Sequence, residues 1–226
     1  MEFYHVLNRG VDKRDIFTND KDRFRFIHNL YEFNDEDNRE NTSRIFQNSN
    51  LYNIGCRTDD NKKARIRKCL VYLHAFCLMP NHYHLFLSPK IEGGISKFMQ
   101  KLNMGYSKYF NIKYDRQGAL FQGKYKSILV EEERHFDHLP HYIHLNPLDL
   151  VAPEWRDGKI NNHKKALQFL ENYRWSSLLD YTGKKNFPSI ICKQSLTPIF
   201  KWQRKLQLED WIKDLDLVNL KTIMLE

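Results

Sequence analysis

No apolar segment of the 226-residue sequence is long enough to cross a membrane. A spanning helix needs about 20 consecutive, mostly apolar residues, and the apolar runs found here are much shorter. The opening residues MEFYHVLNRG also lack the apolar stretch of a secretory signal peptide. We therefore expect a cytoplasmic protein that does not bind membranes.

Cysteine is scarce, and none of the four cysteines belongs to a C-x-x-C pair. This distribution argues against a disulfide framework and against a zinc knuckle. Cys69 and Cys77 lie in an apolar stretch and are expected to be small core residues. The sequence also contains no Walker-type phosphate loop, so it gives no sign of nucleotide hydrolysis.

Positive charge, in contrast, is in excess. Lysine and arginine number 36 against 28 aspartates and glutamates, which gives a formal net charge of +8 and an isoelectric point near 9.2. A polyanion is the partner to consider first, with nucleic acid ahead of a membrane surface. Hydrophobic residues make up 41% of the chain, enough for a packed core.

Hydrophobic patterning predicts the element order β, α, β, β, α, β, α and hence an α+β fold with an antiparallel sheet. The strands are expected at residues 3–8, 71–79, 82–87 and 124–130, and the helices start near residues 20, 94, 133 and 163. Residues 34–66 are polar and rich in asparagine, which predicts an insertion or loop. We predict a catalytic domain over residues 1–181 and a C-terminal helical extension over residues 182–226.

Two histidines, His82 and His84, alternate along the predicted strand HYHLFL. Side chains two apart on a strand face the same side, so the imidazoles stand together. Histidine is a common metal ligand, and this pair supplies half of a metal site. Two half-buried histidines at a sheet edge are the alternative interpretation.

Tyr142 and Asn146 are four residues apart in the predicted helix that ends in YIHLNP, so they share one helical face. An amide oxygen can complete a metal site, and the neighbouring phenol can attack a metal-bound phosphate. Alternatively, Tyr142 is a core aromatic residue and Asn146 caps the helix before Pro147.

Cations and aromatic rings alternate between Ser96 and Val130, where seven lysines or arginines accompany a single acid. Cations follow a phosphate backbone and aromatic faces stack on exposed bases. The candidate DNA contacts are Lys97, Lys101, Lys108 and Arg116. A solvated helix face explains these charges equally well.

Five motifs in a fixed order carry a resemblance to a known family: CLMPNHYHLFL, FMQKLNMGYSKYFN, GALFQGKYKSILVE, YIHLNP and YRWSSLLDY. Together they resemble the REP-associated tyrosine transposases, relatives of the small insertion-sequence transposases of the HUH (His-hydrophobic-His) class. The resemblance runs from about Phe3 to Tyr181 and is interrupted by residues 34–66.

This resemblance implies a ferredoxin-like antiparallel sheet with helices packed on one side. It also implies a metal-dependent enzyme that cuts and rejoins single-stranded DNA through a 5′-phosphotyrosine, with Mg²⁺ or Mn²⁺ as cofactor. The substrate would be a hairpin or palindromic repeat, and the protein would act as a monomer or homodimer. By position, His82, His84 and Asn146 correspond to metal ligands and Tyr142 to the nucleophile.

Three departures from the family pattern stand near these residues. Tyr83 replaces the usual valine or isoleucine between the histidines, and it is expected to face the other side of the sheet. Pro140 precedes the proposed nucleophile by two residues, where a proline can kink or restart a helix. After Pro147 the family usually has a small or basic sequence, whereas this chain has Leu148-Asp149-Leu150.

Three other functions are consistent with parts of the pattern. The first is a domesticated DNA-binding or nicking protein of the same family that no longer mobilises DNA. The second is a metal-dependent phosphoesterase that uses activated water, which would require further acidic ligands near His82. The third is a non-catalytic RNA-binding module, which would leave the two histidines and YIHLNP without a role.

Overall fold

The computed structural model describes residues 1–36 and 67–193. Most of the predicted insertion, Cys56 and the helix predicted from about Leu206 lie outside these residues. None of the helices within them is long and apolar enough to cross a bilayer. In chain order, the strands and α-helices of this part are β1 (Tyr4–Arg9), α1 (Asp20–Glu32), β2 (Val71–Met79), β3 (His82–Pro89), α2 (Gly94–Lys113), β4 (Lys126–Leu129), α3 (Glu133–Leu145), α4 (His163–Asn172) and α5 (Leu178–Tyr181).

The four strands form one sheet in the order β2-β3-β1-β4, and all neighbours are antiparallel. The α+β class with an antiparallel sheet, predicted from the patterning, is therefore confirmed. The succession β1-α1-β2-β3-α2-β4 with this strand order is the ferredoxin-like arrangement. Strand β2 and helix α3 have the bounds that the sequence predicts.

Helices cover both faces of this sheet. As a result, seven of the eight residues of β3 are buried, whichever face they point to. On one face, Tyr83 meets Phe26 of α1, with ring centroids 4.9 Å apart, and its hydroxyl donates to Asn103 of α2. On the other face, the ring of His84 lies 5.7 Å from the ring of Tyr142 on α3. The expectation that the helices pack on one side only is corrected: α1 and α2 cover one face, and α3 covers the other.

The segment between α4 and α5 protects the outer edge of β2. The Leu78 amide donates to the Trp175 carbonyl at 2.9 Å, and the Ser177 amide donates to the Phe76 carbonyl at 3.0 Å. These bonds satisfy backbone groups that an edge strand would otherwise expose. Beyond α5, residues 182–193 contain no further helix, and the domain division at residue 181 stays a prediction.

A buried histidine in β2 makes the stability of this fold sensitive to pH. His74 is fully buried, and its Nε2 lies 2.8 Å from Ser88 Oγ. Burial lowers the pKa of His74 to about 4, whereas the unfolded chain titrates near 6.5. The stability that His74 contributes is therefore complete above about pH 6.5 and is lost as the pH falls toward 4.

We expect the free energy of unfolding to fall by about 2 kcal/mol between pH 7 and pH 5 through His74 alone. Urea denaturation at both pH values measures this change. The variant His74→Gln should lose that part of the pH dependence, and His163→Gln, at an exposed position, is the matched control. An unchanged pH dependence in His74→Gln would contradict the assignment.

Candidate active site

Strand β3 brings His82 and His84 together on one face of the sheet, as the sequence predicts. Their ring centroids are 4.9 Å apart and the ring planes are nearly perpendicular, at 84°. Both are buried, with 5% and 0% of their surface exposed. Tyr83 points to the opposite face, as expected, where burial raises the pKa of its phenol far above the ordinary value.

A third histidine, which the sequence analysis did not single out, belongs to the same face. His5 of β1 has its Nε2 atom 2.9 Å from Nδ1 of His84, and the two rings are stacked with centroids 5.2 Å apart. His5 lies 79 residues from His84 in the sequence. Only the pairing of β1 with β3 shows that the two meet, so no local signal identifies His5.

Helix α3 places Tyr142 over these histidines. Its ring stands edge-on to His84 at 5.7 Å and to His5 at 6.1 Å. The helix is continuous from Glu133 to Leu145 through Pro140, so the proline does not divide it into two segments. Tyr142 is fully buried, with Trp155 on its other side at 6.1 Å.

Asn146 lies at the end of α3 and is held by two partners. Its Nδ2 donates to the Tyr142 carbonyl at 2.8 Å, and its Oδ1 accepts from Arg156 Nη2 at 3.2 Å. A carbonyl only accepts and a guanidinium only donates, so these partners fix the orientation of the amide. In this arrangement the amide oxygen of Asn146 faces a positive charge.

Arg156 is the second residue that the sequence analysis missed. Its guanidinium lies 5.8 Å from the centre of the Tyr142 ring and binds both carboxylate oxygens of Asp149, at 2.8 and 2.6 Å. Trp155 Nε1 donates to the same carboxylate at 2.6 Å. The departure from the family pattern at Asp149 thus has a local role: it orients the arginine that contacts Asn146 and Tyr142.

His144 lies on the same helix as Tyr142 but outside this cluster. Its Nε2 lies 2.7 Å from Ser177 Oγ, and the residue is fully buried. Burial lowers the pKa of His144 to about 3, so its imidazole stays neutral at physiological pH. The contact with Ser177, which also bonds to β2, indicates a role in docking α3 onto the sheet.

The two strand histidines lie side by side, as a pair of metal ligands would, but the Asn146 oxygen predicted to join them does not face them. His82 Nδ1 lies 2.6 Å from Asn81 Oδ1, and His84 Nδ1 lies against His5, so Nε2 is the ligand atom that each ring would offer. The Asn146 oxygen faces Arg156 instead. Within residues 1–36 and 67–193, no three His, Cys, Asp or Glu residues form a metal-binding group.

The predicted DNA-binding cations of α2 lie on a helix that packs against the sheet face opposite the histidines. Lys97 and Lys108 are exposed. Lys101 donates instead to the carbonyls of Asp35 and Glu36. Arg116 is also engaged within the protein, because its guanidinium donates to Asn111 Oδ1 at 3.3 Å. Their contact with DNA stays a prediction.

Replacing Arg156 tests how much the ion pair stabilises this end of α3. Both partners keep about a fifth of their side-chain surface, with 21% and 23% exposed. We therefore expect Arg156→Met to lower the free energy of unfolding by about 2 kcal/mol, less than for a fully buried pair. Urea denaturation measures the loss, and the exposed Lys159→Met in the next turn is the matched control. Equal stability of the two variants would contradict a structural role for the pair.

Comparison with known proteins gives a family match over part of the chain and a structural match. Residues 56–146 match the family model described as IS200-like transposase. Comparison with curated proteins gives no significant match. A solved REP-associated tyrosine transposase bound to a REP hairpin aligns over 84% of each chain, with 10% sequence identity and a TM-score of 0.46.

The region that matches the family model contains the His82-Tyr83-His84 strand and Tyr142, and it ends at Asn146. A transposase family supports DNA processing as the general activity. Residues 56–146 are therefore similar to the IS200-like transposases, the group to which the sequence motifs within this range point.

Proposed function

We propose that this protein is a single-stranded DNA endonuclease and strand transferase that acts through a phosphotyrosine at Tyr142. One observation carries the proposal: the phenol ring of Tyr142 stands edge-on to His84 at 5.7 Å, beside the His82–His84 pair. In this proposal the nucleophile lies on α3 and the two metal ligands lie on β3, and the fold packs these two elements together.

In the proposed reaction, Tyr142 Oη loses its proton and attacks the scissile phosphorus. The bond from phosphorus to the 3′ oxygen breaks, and that oxygen takes up a proton to become a free 3′-hydroxyl. The 5′ phosphate remains linked to Tyr142, so the energy of the phosphodiester is retained. A second 3′-hydroxyl can reverse the step and join a new strand, without nucleotide hydrolysis.

His82 and His84 are the residues that would hold Mg²⁺ or Mn²⁺ through their Nε2 atoms. When bound, such an ion polarises the phosphate and stabilises the charge that develops on it. Asn146 can contribute its oxygen only if that oxygen gives up its hydrogen bond to Arg156 and binds the ion instead. Two imidazoles with oxygen donors from water or phosphate suit Mn²⁺ well.

Access to Tyr142 requires a movement, because its side chain is fully buried. A phosphate reaches Oη only when α3, or the turn that carries Trp155, shifts away from the sheet. We propose that binding of DNA drives this shift. As the resemblance implies, the substrate is a single strand that contains a hairpin or palindromic repeat.

An activated-water phosphoesterase is less well supported than strand transfer. That mechanism calls for carboxylate ligands beside the histidines. In the part of the chain that the structure describes, no group of acidic and histidine residues forms such a site. A phenol beside two histidines is instead the arrangement that covalent catalysis uses.

The variant Tyr142→Phe tests the nucleophile, because it removes one oxygen and leaves the packing of the ring almost unchanged. We expect it to bind hairpin DNA like the wild type but to form no adduct that survives denaturation and to release no 3′-hydroxyl. Gel analysis with end-labelled hairpin DNA and Mn²⁺ measures both products. Tyr181→Phe is the matched control, since that hydroxyl bonds to the His74 carbonyl away from the site.

Two results would overturn the assignment of Tyr142. The first is full cleavage by Tyr142→Phe, and the second is a wild-type adduct that maps to another tyrosine. Cleavage by the wild type without any adduct would favour activated water over covalent catalysis.

The double variant His82→Ala/His84→Ala tests the metal site. We expect its affinity for Mn²⁺ to fall by more than tenfold and DNA cleavage to be lost, because both imidazole ligands are absent. Calorimetric titration with Mn²⁺ measures the affinity, and circular dichroism checks the fold. His163→Ala, outside the sheet, is the control, and unchanged Mn²⁺ affinity in the double variant would exclude this site.

A further inference from the structure

A cleft opens where β1 and the chain before β4 separate. Leu7 pairs with Lys126, and Gly10 bridges to Phe121. Between these two pairings, two residues of β1 therefore face four residues of the other chain, residues 122–125. The additional residues cannot follow the ladder, so the chain bulges and leaves an opening.

This opening is basic. Its volume is about 130 Å³, and its lining consists of Leu7, Asn8, Arg9, Gln122, Gly123, Lys124 and Lys126. Three of these seven residues are cations and none is acidic. Lys124 and Lys126 are exposed to solvent, and Arg9 is half-buried. The opening therefore favours an anion over any other small group.

Strand register places the cleft beside the two histidines. Arg9 pairs directly with His82, and Leu7 pairs with His84. Directly opposed residues of an antiparallel pair point to the same face, with Cα atoms about 5 Å apart. Arg9 and Lys126 therefore belong to the face that carries the histidines, Arg9 on the neighbouring strand β1 and Lys126 on the edge strand β4.

We propose that this cleft binds backbone phosphates of the DNA strand next to the phosphate that is cleaved. Arg9 offers a planar fork of donors that matches a phosphate, and Lys124 and Lys126 add two solvent-exposed charges at its rim. The location beside the cleavage site rests on the proposed function, whereas the binding of phosphate rests on the cleft itself.

The cleft differs from the cations of α2, which the sequence singled out. Helix α2 contacts the sheet through the Tyr83 face, so Lys97 and Lys108 belong to a helix on the side of the sheet away from His84. A strand whose phosphate reaches Tyr142 must instead lie on the histidine face. The cations nearest to that path in the strand register are Arg9 and Lys126.

Fluorescence anisotropy with a labelled oligothymidine of twelve nucleotides tests the cleft without a hairpin. We expect the triple variant Arg9→Gln/Lys124→Gln/Lys126→Gln to bind about a hundredfold more weakly at 0.1 M salt. The slope of log affinity against log salt should become shallower by about 2, since each lost phosphate contact on a single strand contributes about 0.7. The variant Lys97→Gln/Lys108→Gln is the matched control and should keep the wild-type slope.

Folding of the variants is monitored by circular dichroism, and Lys124→Gln/Lys126→Gln, at two exposed positions, provides a second variant that leaves β1 intact. It should make the slope shallower by about 1.4. An unchanged slope in this double variant, or an equal change in the α2 control, would overturn the proposal. Adduct formation by the wild type is followed separately with hairpin DNA, so failure of the phosphotyrosine mechanism is distinguishable from failure of the cleft.

Discussion

The antiparallel pairing of β1 with β3 is the constraint on which the candidate site depends. It sets His5 against His84 and Arg9 opposite His82, so one register assembles a row of nitrogen-bearing side chains from two distant segments. A slip of one residue would turn every side chain of β1 to the other face of the sheet. The buried, mostly apolar residues of both strands oppose such a slip, because they would exchange well-packed neighbours for poor ones.

Helix α3 adds the phenol to this row, and its position is fixed from the side away from the sheet. The Asn146 amide links the last turn of the helix to Arg156, and Arg156 is in turn oriented by Asp149. All of these bonds are directional, and those of Arg156 are charge-assisted, whereas the contacts of Tyr142 with the histidines are ring packing. The helix end is thus held by polar bonds on one side and by aromatic contacts on the other.

The sequence alone predicts those features that depend on local periodicity. The bounds of β2 and α3, the shared face of His82 and His84, and the position of Tyr83 on the opposite face all follow from repeats of two or 3.6 residues. His5 and Arg156 were missed because their partners are set by tertiary pairing. The expectation of helices on one side came from the family resemblance, although the burial of β3 on both faces requires a second cover.

The density of charge along the sequence does not identify the cations that lie near the histidines, and contact of the α2 cations with DNA stays a prediction. Cations are dense in and after α2, yet Lys101 of this helix and Arg116 beyond its end bond within the protein, and α2 packs on the sheet face opposite the histidines. Arg9, Lys124 and Lys126 are less conspicuous, because two segments contribute them. A bulge in strand pairing gathers them, and no local pattern encodes that bulge.

Pro140 makes α3 easier to bend at one position than along the rest of the helix. The residue has no N–H to donate to the Phe136 carbonyl. One backbone hydrogen bond of the helix is therefore absent, about half a turn before Tyr142. Bending is easiest at such a position, because no further backbone bond has to break there. The last turn, with Tyr142 and Asn146, can therefore bend as a unit about Pro140. In this structure the same turn contacts Arg156 on one side and His84 on the other.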